Sequence, residues 1–154
     1  MNPSTVPTSS RPTSSRSPAG DPTTVRADGE ATVRALYGAV ASGDVRAIAD
    51  LLADDVVFHV PGRSPNAGDH RGRHGVLAFL ARAAHVTGGT LALELRDVAA
   101  GREHVLALAR YTASRDGKQL DNRLCHVLRL EGGRIAESWF FTGDQDAVDA
   151  FWND

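Results

Sequence analysis

The chain has 154 residues, 42% of them hydrophobic, which is enough for one globular domain with a buried core. Its 17 basic and 19 acidic residues are interspersed, so the sequence offers no basic stripe for nucleic acid and no polybasic segment for a membrane. It shows no apolar stretch long enough to span a bilayer, and its single cysteine, Cys125, excludes an intramolecular disulfide. We therefore expect a cytoplasmic protein that binds neither nucleic acid nor membranes.

The first 24 residues differ in composition from the rest of the chain. They consist mainly of Ser, Thr, Pro and Arg and contain almost no large apolar side chains. Such a segment cannot bury enough surface to offset the entropy lost on ordering. We predict a disordered tail over residues 1–24 and a single folded domain over residues 25–154.

Two helices are predicted at the start of the domain. From Asp28 onwards, apolar residues recur at the spacing of one helix face, and Gly43 supplies the residue that ends this helix. Asp44 then caps a second helix, which runs to about residue 55. The apolar face of the first helix is formed by Val33, Leu36, Tyr37 and Val40.

A strand, a long loop and a third helix follow. Residues 56–60 are β-branched or aromatic and are stopped by Pro61 and Gly62, which is typical of a short strand. Residues 61–72 contain two prolines and three glycines and are long enough for a functional loop. The spacing of apolar residues predicts a helix over residues 73–85.

The second half of the chain alternates apolar and polar residues and predicts four strands. Asp116–Gly117 and Gly132–Gly133 are strong hairpin signals, and the last strand covers residues 134–142. Asp144 then caps a short terminal helix. Helices followed by meandering strands indicate an α+β fold, with three N-terminal helices packed on a strongly curved, mixed or antiparallel sheet.

Three segments carry a resemblance to a known family. They are VRALYGAVASGDVRAIADLLADDVVFHVPG, the loop PGRSPNAGDHRG and the strand pair CHVLRLEGGRIAESWFF. In this order they resemble the SnoaL-like polyketide cyclases of the nuclear-transport-factor-two-like superfamily, which also contains ketosteroid isomerases and limonene-epoxide hydrolases. The resemblance covers roughly residues 24–152. It implies a conical cavity between sheet and helices, and a homodimer formed through the outer face of the sheet.

The catalytic groups of these relatives are mostly absent. The base of the ketosteroid isomerases falls on Val60, and their tyrosine falls on Leu36, next to Tyr37. Of the aspartate, arginine and aspartate of the epoxide hydrolases, the last two fall on Leu124 and about Phe141. The position of their first aspartate, and of the acid on the isomerases' penultimate strand, is occupied here by a histidine.

That histidine, His126, is the candidate catalytic residue. It interrupts an alternating run of apolar residues, and imidazole exchanges protons near neutral pH. Burial beside Leu124, Leu128 and Trp139 would favour its neutral form. The alternative is a wall histidine that is hydrogen-bonded to Asn122 or Tyr37. The residues predicted to contact a substrate are Tyr37, Phe58, Val60, Asn122, Leu124, Trp139 and Phe141.

Two functions remain open from the sequence. The first is cofactor-independent acid-base chemistry, namely cyclisation, isomerisation or epoxide hydrolysis of a hydrophobic carbonyl compound. The second is a non-catalytic module that binds a hydrophobic small molecule or dimerises. We expect no metal, because Gly72 and the helix start lie between His70 and His74, the one pair with ligand-like spacing. No cofactor motif is evident.

Overall fold

The structure, a computed structural model, describes residues 20–154. Most of the predicted tail, residues 1–19, lies outside the described residues. The elements in chain order are α1 (Pro22–Ser42), α2 (Val45–Leu51), β1 (Leu52–Val60), β2 (Gly68–Arg71), α3 (Gly72–Val86), β3 (Ala92–Ala100), β4 (His104–Arg115), β5 (Lys118–Glu131), β6 (Arg134–Thr142) and α4 (Gln145–Trp152).

The six strands form one mixed sheet in the order β2-β1-β6-β5-β4-β3. Strand β1 runs parallel to β6, and every other neighbouring pair is antiparallel. Helix α1 packs on β3 and β4, and α3 packs on β1, so these helices and the sheet enclose the main core. The predicted α+β fold is confirmed. None of the helices within residues 20–154 is long and apolar enough to cross a bilayer.

Local turn and cap chemistry sets several predicted boundaries. Gly43 ends α1 in the left-handed conformation, and the Asp44 carboxylate accepts the Ala47 N–H at 3.0 Å to start α2. In the β5–β6 hairpin, Gly132 and Gly133 have φ of 57° and 77°, the two positive angles that a two-residue turn requires. The sequence predicts these features because each depends on neighbouring residues only.

Three predicted boundaries were wrong. Helix α1 begins at Pro22 instead of Asp28, because the Asp21 carboxylate accepts the Thr23 N–H and proline is favoured in a first turn. Strand β1 begins at Leu52 because it pairs with β6, a contact remote in sequence. The loop predicted over residues 61–72 contains the short strand β2, which is held by antiparallel pairing with β1.

A β-bulge in the β5–β6 hairpin decides which side of β6 faces the helices. Leu130 pairs with Ile135, but Arg129 pairs with Glu137, which leaves Ala136 as an extra residue. A regular two-residue hairpin would pair His126 with Trp139, whereas the bulge pairs His126 with Phe140. The side chains of Ser138, Phe140 and Thr142 therefore lie on the helix side of the sheet.

Candidate functional site

A cavity of about 110 Å³ lies between the sheet and helices α1, α3 and α4. None of the described residues that line it is Asp, Glu, Lys or Arg. The cavity is therefore an apolar space with a few neutral polar groups. Its lining includes Leu36, Tyr37, Phe58, Val60, Phe79, Leu80, Tyr111, Leu124, His126, Phe140, Val148 and Trp152, together with Ser64 and Asn66.

His126 lies in the cavity wall at the middle of β5 and is only 3% exposed. Its Nδ1 atom is 3.2 Å from the Tyr37 hydroxyl, and its Nε2 atom is 2.5 Å from the Ser138 hydroxyl. The imidazole stacks on Phe140 at a centroid distance of 4.2 Å and meets the edge of Phe58 at 6.1 Å. The ring is thus fixed by two hydrogen bonds and two aromatic contacts.

The protonation states of this pair follow from burial. Burial lowers the pKa of His126 to about 3, because the charged imidazolium would lose its hydration. Burial also raises the pKa of Tyr37 far above its ordinary value, with a smaller contribution from Cys125. At neutral pH the imidazole is therefore uncharged and the phenol keeps its proton.

Four predicted contact residues line the cavity with His126. Tyr37 comes from α1, Phe58 and Val60 from β1, and Leu124 from β5. Phe58 and Val60 share one face of β1 because side chains alternate along a strand, and His59 accordingly points to the outer face.

Asn122 was wrongly predicted as a contact residue. Its Nδ2 donates to the Asp144 carbonyl at 2.8 Å, and its Oδ1 accepts the N–H groups of Arg123 and Asp144. These bonds tie β5 to the residue that caps α4. The Asn122 side chain is buried between β5 and the start of α4, and it does not line the cavity.

Trp139 and Phe141 were also wrongly predicted to face the cavity. The bulge at Ala136 turns both onto the outer face, where Trp139 stacks on His59 at 5.5 Å and Phe141 is 58% exposed. Conversely, Ser138 and Phe140, which lie on the helix side of the sheet, were not predicted. The signal available in the sequence was the pair Ile135 and Ala136, because two consecutive apolar residues break the alternation of a regular strand.

A separate ionic cluster lies on the outer face. His59 contacts Asp69 at 2.7 Å through Nδ1 and Glu137 at 2.8 Å through Nε2. The hydrogen bond to Glu137 raises the pKa of His59, and the same bond lowers the pKa of Glu137. Glu137 thus contributes to the contact between β1 and β6, and it is not an acid of the cavity.

His70 lies on β2, shortly before α3, and is held by two contacts. Its Nε2 donates to the Asn66 carbonyl at 2.9 Å, and its ring stacks on Phe79 at 4.4 Å. His74 is exposed on α3. Within residues 20–154, no three His, Cys, Asp or Glu side chains are grouped as a metal site requires.

A family model described as SnoaL-like domain matches residues 33–138. The chain belongs to the SnoaL-like family. This family has the nuclear-transport-factor-two-like fold, so the resemblance seen in the sequence is confirmed. The SnoaL-like chain is 37% identical to an uncharacterised protein of Mycobacterium tuberculosis over 121 residues, covering 78% of this chain and 92% of that protein.

Two solved structures are similar to this SnoaL-like chain. Bal32a, from a soil-derived mobile gene cassette, is 36% identical with a TM-score of 0.81, and the match covers 83% of this chain and 98% of Bal32a. IdmH of Streptomyces antibioticus, described as a candidate polyketide cyclase, is 20% identical with a TM-score of 0.62. That match covers 73% of this chain and 90% of IdmH, and it shows the fold alone.

Proposed function

We propose that this SnoaL-like protein is a cofactor-independent enzyme that enolises an uncharged, hydrophobic carbonyl compound for cyclisation or isomerisation. The observation that carries the proposal is the hydrogen-bonded chain of Tyr37, His126 and Ser138 in the wall of an apolar cavity. The fold shared with IdmH, a candidate polyketide cyclase, is in keeping with such a substrate.

In the resting state the hydrogen-bonded chain carries no charge, and both ring nitrogens of His126 have a hydrogen-bond partner. When the imidazole hydrogen is on Nε2, that nitrogen donates to the Ser138 hydroxyl, and Nδ1 accepts the Tyr37 hydroxyl hydrogen. The Ser138 hydroxyl can accept as well as donate, so it accommodates this tautomer, in which the lone pair of Nδ1 faces Tyr37. The base is thus held in position before a ligand enters.

A carbonyl ligand changes this arrangement in one step. When its oxygen accepts the Tyr37 hydroxyl hydrogen, Nδ1 of His126 loses its donor and becomes available as a base. The ligand's α-proton moves to Nδ1, and Tyr37 donates a hydrogen bond to the enolate oxygen that forms. The proton then returns to carbon at a new position, or the enolate attacks a second carbonyl and closes a ring, and the alkoxide formed there takes the proton from the imidazolium. Charge appears only as an enolate and imidazolium pair, which attract each other in the apolar cavity.

Epoxide hydrolysis, the third reaction considered from the sequence, has less support. That reaction needs a carboxylate to activate water, and no described lining residue is Asp or Glu. Leu124 and Phe141 occupy the positions where the resemblance would place the arginine and the second aspartate of the epoxide hydrolases, and both are apolar. The cavity therefore favours chemistry that begins with proton removal beside a carbonyl.

Ligand binding without catalysis is the second candidate function. One observation favours it, namely that both ring nitrogens of His126 already have hydrogen-bond partners. A histidine that is satisfied in this way is stable in a cavity wall without any reaction. In this case the protein would carry a small hydrophobic molecule and leave it unchanged.

Isomerisation of cyclohex-3-enone separates the two candidates. The compound has one uncharged ring, suited to a cavity of about 110 Å³, and its conjugated product is detected by ultraviolet absorbance. We expect the wild-type protein to accelerate the reaction over buffer and His126→Leu to lose most of this acceleration. His85→Gln, which removes an exposed histidine from α3, should retain the wild-type rate. Saturable binding with no acceleration would contradict the enzymatic proposal and favour the carrier.

We also propose that two copies pair through the outer face of the sheet. This face carries three large apolar side chains that are strongly exposed, Leu106 at 42%, Leu108 at 50% and Phe141 at 58%. Strand pairing places Leu108 beside Cys125, and Cys125 beside Phe141. Leu108 and Phe141 therefore lie in one row across the sheet, on either side of Cys125. A contiguous apolar patch is typical of an interface, and two copies of the same patch are complementary.

Glutamate substitutions test this interface. Leu108→Glu and Phe141→Glu each place a charge in the apolar row, and we expect both to shift sedimentation from a dimer to a monomer. Val45→Glu is the matched control, because Val45 is 59% exposed but lies on α2, away from the sheet. A wild-type protein that sediments as a monomer at micromolar concentration would contradict the proposal.

We further propose that the protein works in the cytoplasm. Cys125 is a free thiol in the same row as Leu108 and Phe141. In a dimer formed through this face, the two Cys125 thiols would lie in the interface region, where oxidation could join the copies. A reducing compartment avoids this linkage.

A further inference from the structure

The loop between β1 and β2, residues 61–67, carries two buried polar side chains into the cavity lining. Ser64 is 9% exposed and Asn66 is 6% exposed, and both line the cavity. Buried polar groups normally have hydrogen-bond partners, so their surroundings indicate what they bind.

This loop is held firmly at both ends. The buried Asp149 carboxylate of α4 accepts the Arg63 N–H at 2.9 Å, and Gln145 donates to the Pro61 carbonyl at 3.4 Å. At the other end, His70 donates to the Asn66 carbonyl at 2.9 Å. The Asn66 side chain is therefore presented by a fixed backbone, as a preformed binding site requires.

Within residues 20–154, neither the Ser64 hydroxyl nor the Asn66 amide forms a side-chain hydrogen bond. Every polar side-chain atom that is fully enclosed in this part of the chain does have a partner. The free groups of Ser64 and Asn66 must therefore reach open space. Both residues are buried and line the cavity, which is therefore an open space that these groups can reach.

Other polar side chains of the cavity have a partner. The Trp152 indole N–H donates to the Tyr111 hydroxyl at 2.8 Å, and Tyr37 is paired with His126. Ser64 and Asn66 differ because neither side chain has a hydrogen-bond partner among the described residues. An unpaired polar group in apolar surroundings is costly, and a ligand oxygen that pairs with it recovers this cost.

We propose that Ser64 and Asn66 form a second polar subsite, which binds a hydroxyl or carbonyl oxygen of the ligand. This inference rests on the proposed function, which assigns the first oxygen to Tyr37 and His126. The substrate class is then an uncharged ring compound with two oxygen functions at separate positions. The absence of charged side chains among the described lining residues favours a neutral ligand, and the volume of about 110 Å³ favours a single ring.

Phenol and the three dihydroxybenzenes are suitable probes. Phenol resembles an enol and has one oxygen, whereas catechol, resorcinol and hydroquinone place a second oxygen at three different separations. Binding is measured by the fluorescence of Trp152, which lines the cavity, in a Trp139→Phe background that removes the other tryptophan. We expect at least one dihydroxybenzene to bind about tenfold more tightly than phenol, the gain typical of one additional buried hydrogen bond.

Variants of the loop assign this preference to the subsite. Asn66→Leu should abolish the preference, so that the preferred dihydroxybenzene binds this variant no more tightly than phenol binds the same variant. Ser64→Ala should reduce, but not abolish, the tighter binding of the preferred dihydroxybenzene relative to phenol. Thermal unfolding checks that each variant is folded, and Asn66→Ala replaces Asn66→Leu if leucine prevents folding.

The outcomes separate the subsite from the proposed function. If no dihydroxybenzene binds more tightly than phenol, or if the preference survives both Asn66→Leu and Ser64→Ala, the subsite is wrong while the Tyr37 site stands. If phenol binds equally well to Tyr37→Phe, the assignment of the first oxygen is wrong. Binding of 3-hydroxybenzoate as tight as that of resorcinol would overturn the neutral substrate class.

Discussion

Replacement of Tyr37 by phenylalanine is expected to slow the isomerisation of cyclohex-3-enone about 100-fold, the usual effect of losing one donor to a developing oxyanion. The substitution deletes a single oxygen from a ring that remains buried, so the cavity keeps its shape. The hydroxyl has two roles in the proposed mechanism. It donates to the enolate oxygen, and its departure from His126 Nδ1 frees the base.

The effects of Tyr37→Phe and His126→Leu should not multiply, because the enolate that Tyr37 stabilises forms only when His126 removes a proton. We expect the double variant to be no more than a few-fold slower than His126→Leu alone. Initial rates of all four proteins, compared as a double-mutant cycle, measure this coupling.

The pH profile supplies an independent check on the pair. Burial lowers the pKa of His126 to about 3 and raises the pKa of Tyr37, so neither group titrates near neutrality in the free protein. The rate at low substrate concentration should therefore be constant between about pH 5 and pH 9. A fall in rate below pH 6.5, or a double variant slower by the product of the two single effects, would contradict the coupled pair.

Replacement of Gly62 by alanine is expected to destabilise the protein by roughly 3 kcal/mol or more. A Cβ atom at this position would overlap Asp149 Oδ1 and Gln145 Nε2, so both side chains would have to move and the hydrogen bonds that they make to the loop would be disturbed. The backbone φ of +103° adds strain, since residues other than glycine rarely adopt this angle. Denaturant unfolding followed by circular dichroism measures the change.

Gly68→Ala is the matched control for Gly62→Ala. Gly68 has a similar φ of +111°, but a Cβ there would meet no described atom within 4 Å. Gly68→Ala should therefore lower the free energy of unfolding only by the backbone strain, roughly 1–2 kcal/mol. If the two variants are equally stable, the contact between the loop and Asp149 contributes nothing, and the fixed position of Ser64 and Asn66 must have another cause.

The sequence predicted the parts of this fold that depend on neighbouring residues. Gly43, Asp44 and the Gly132–Gly133 turn act through short-range geometry and lie where their types indicate. The parallel pairing of β1 with β6 and the short strand β2 were not predicted, because they depend on contacts between distant segments.

The candidate site was predicted only in part for the same reason. His126 and Phe58 were found from alternation within single strands. Trp139 was wrongly assigned because one extra residue in β6 reverses its side chains, and the reversal extends from Ala136 to the end of the strand. Asn66 was missed because a loop has no periodicity that tells a buried amide from an exposed one.

The attachment of loop 61–67 has a consequence for how such a protein can diversify. Its hydrogen bonds run to α4 and β2, whereas the chain of Tyr37, His126 and Ser138 joins α1, β5 and β6, and the described residues show no hydrogen bond between the two groups. Under the proposed function, changes in the loop would alter which molecule is accepted while the proposed proton-transfer chain is inherited intact. Exchanging the loop among relatives should then change ligand preference without removing Tyr37, His126 or Ser138.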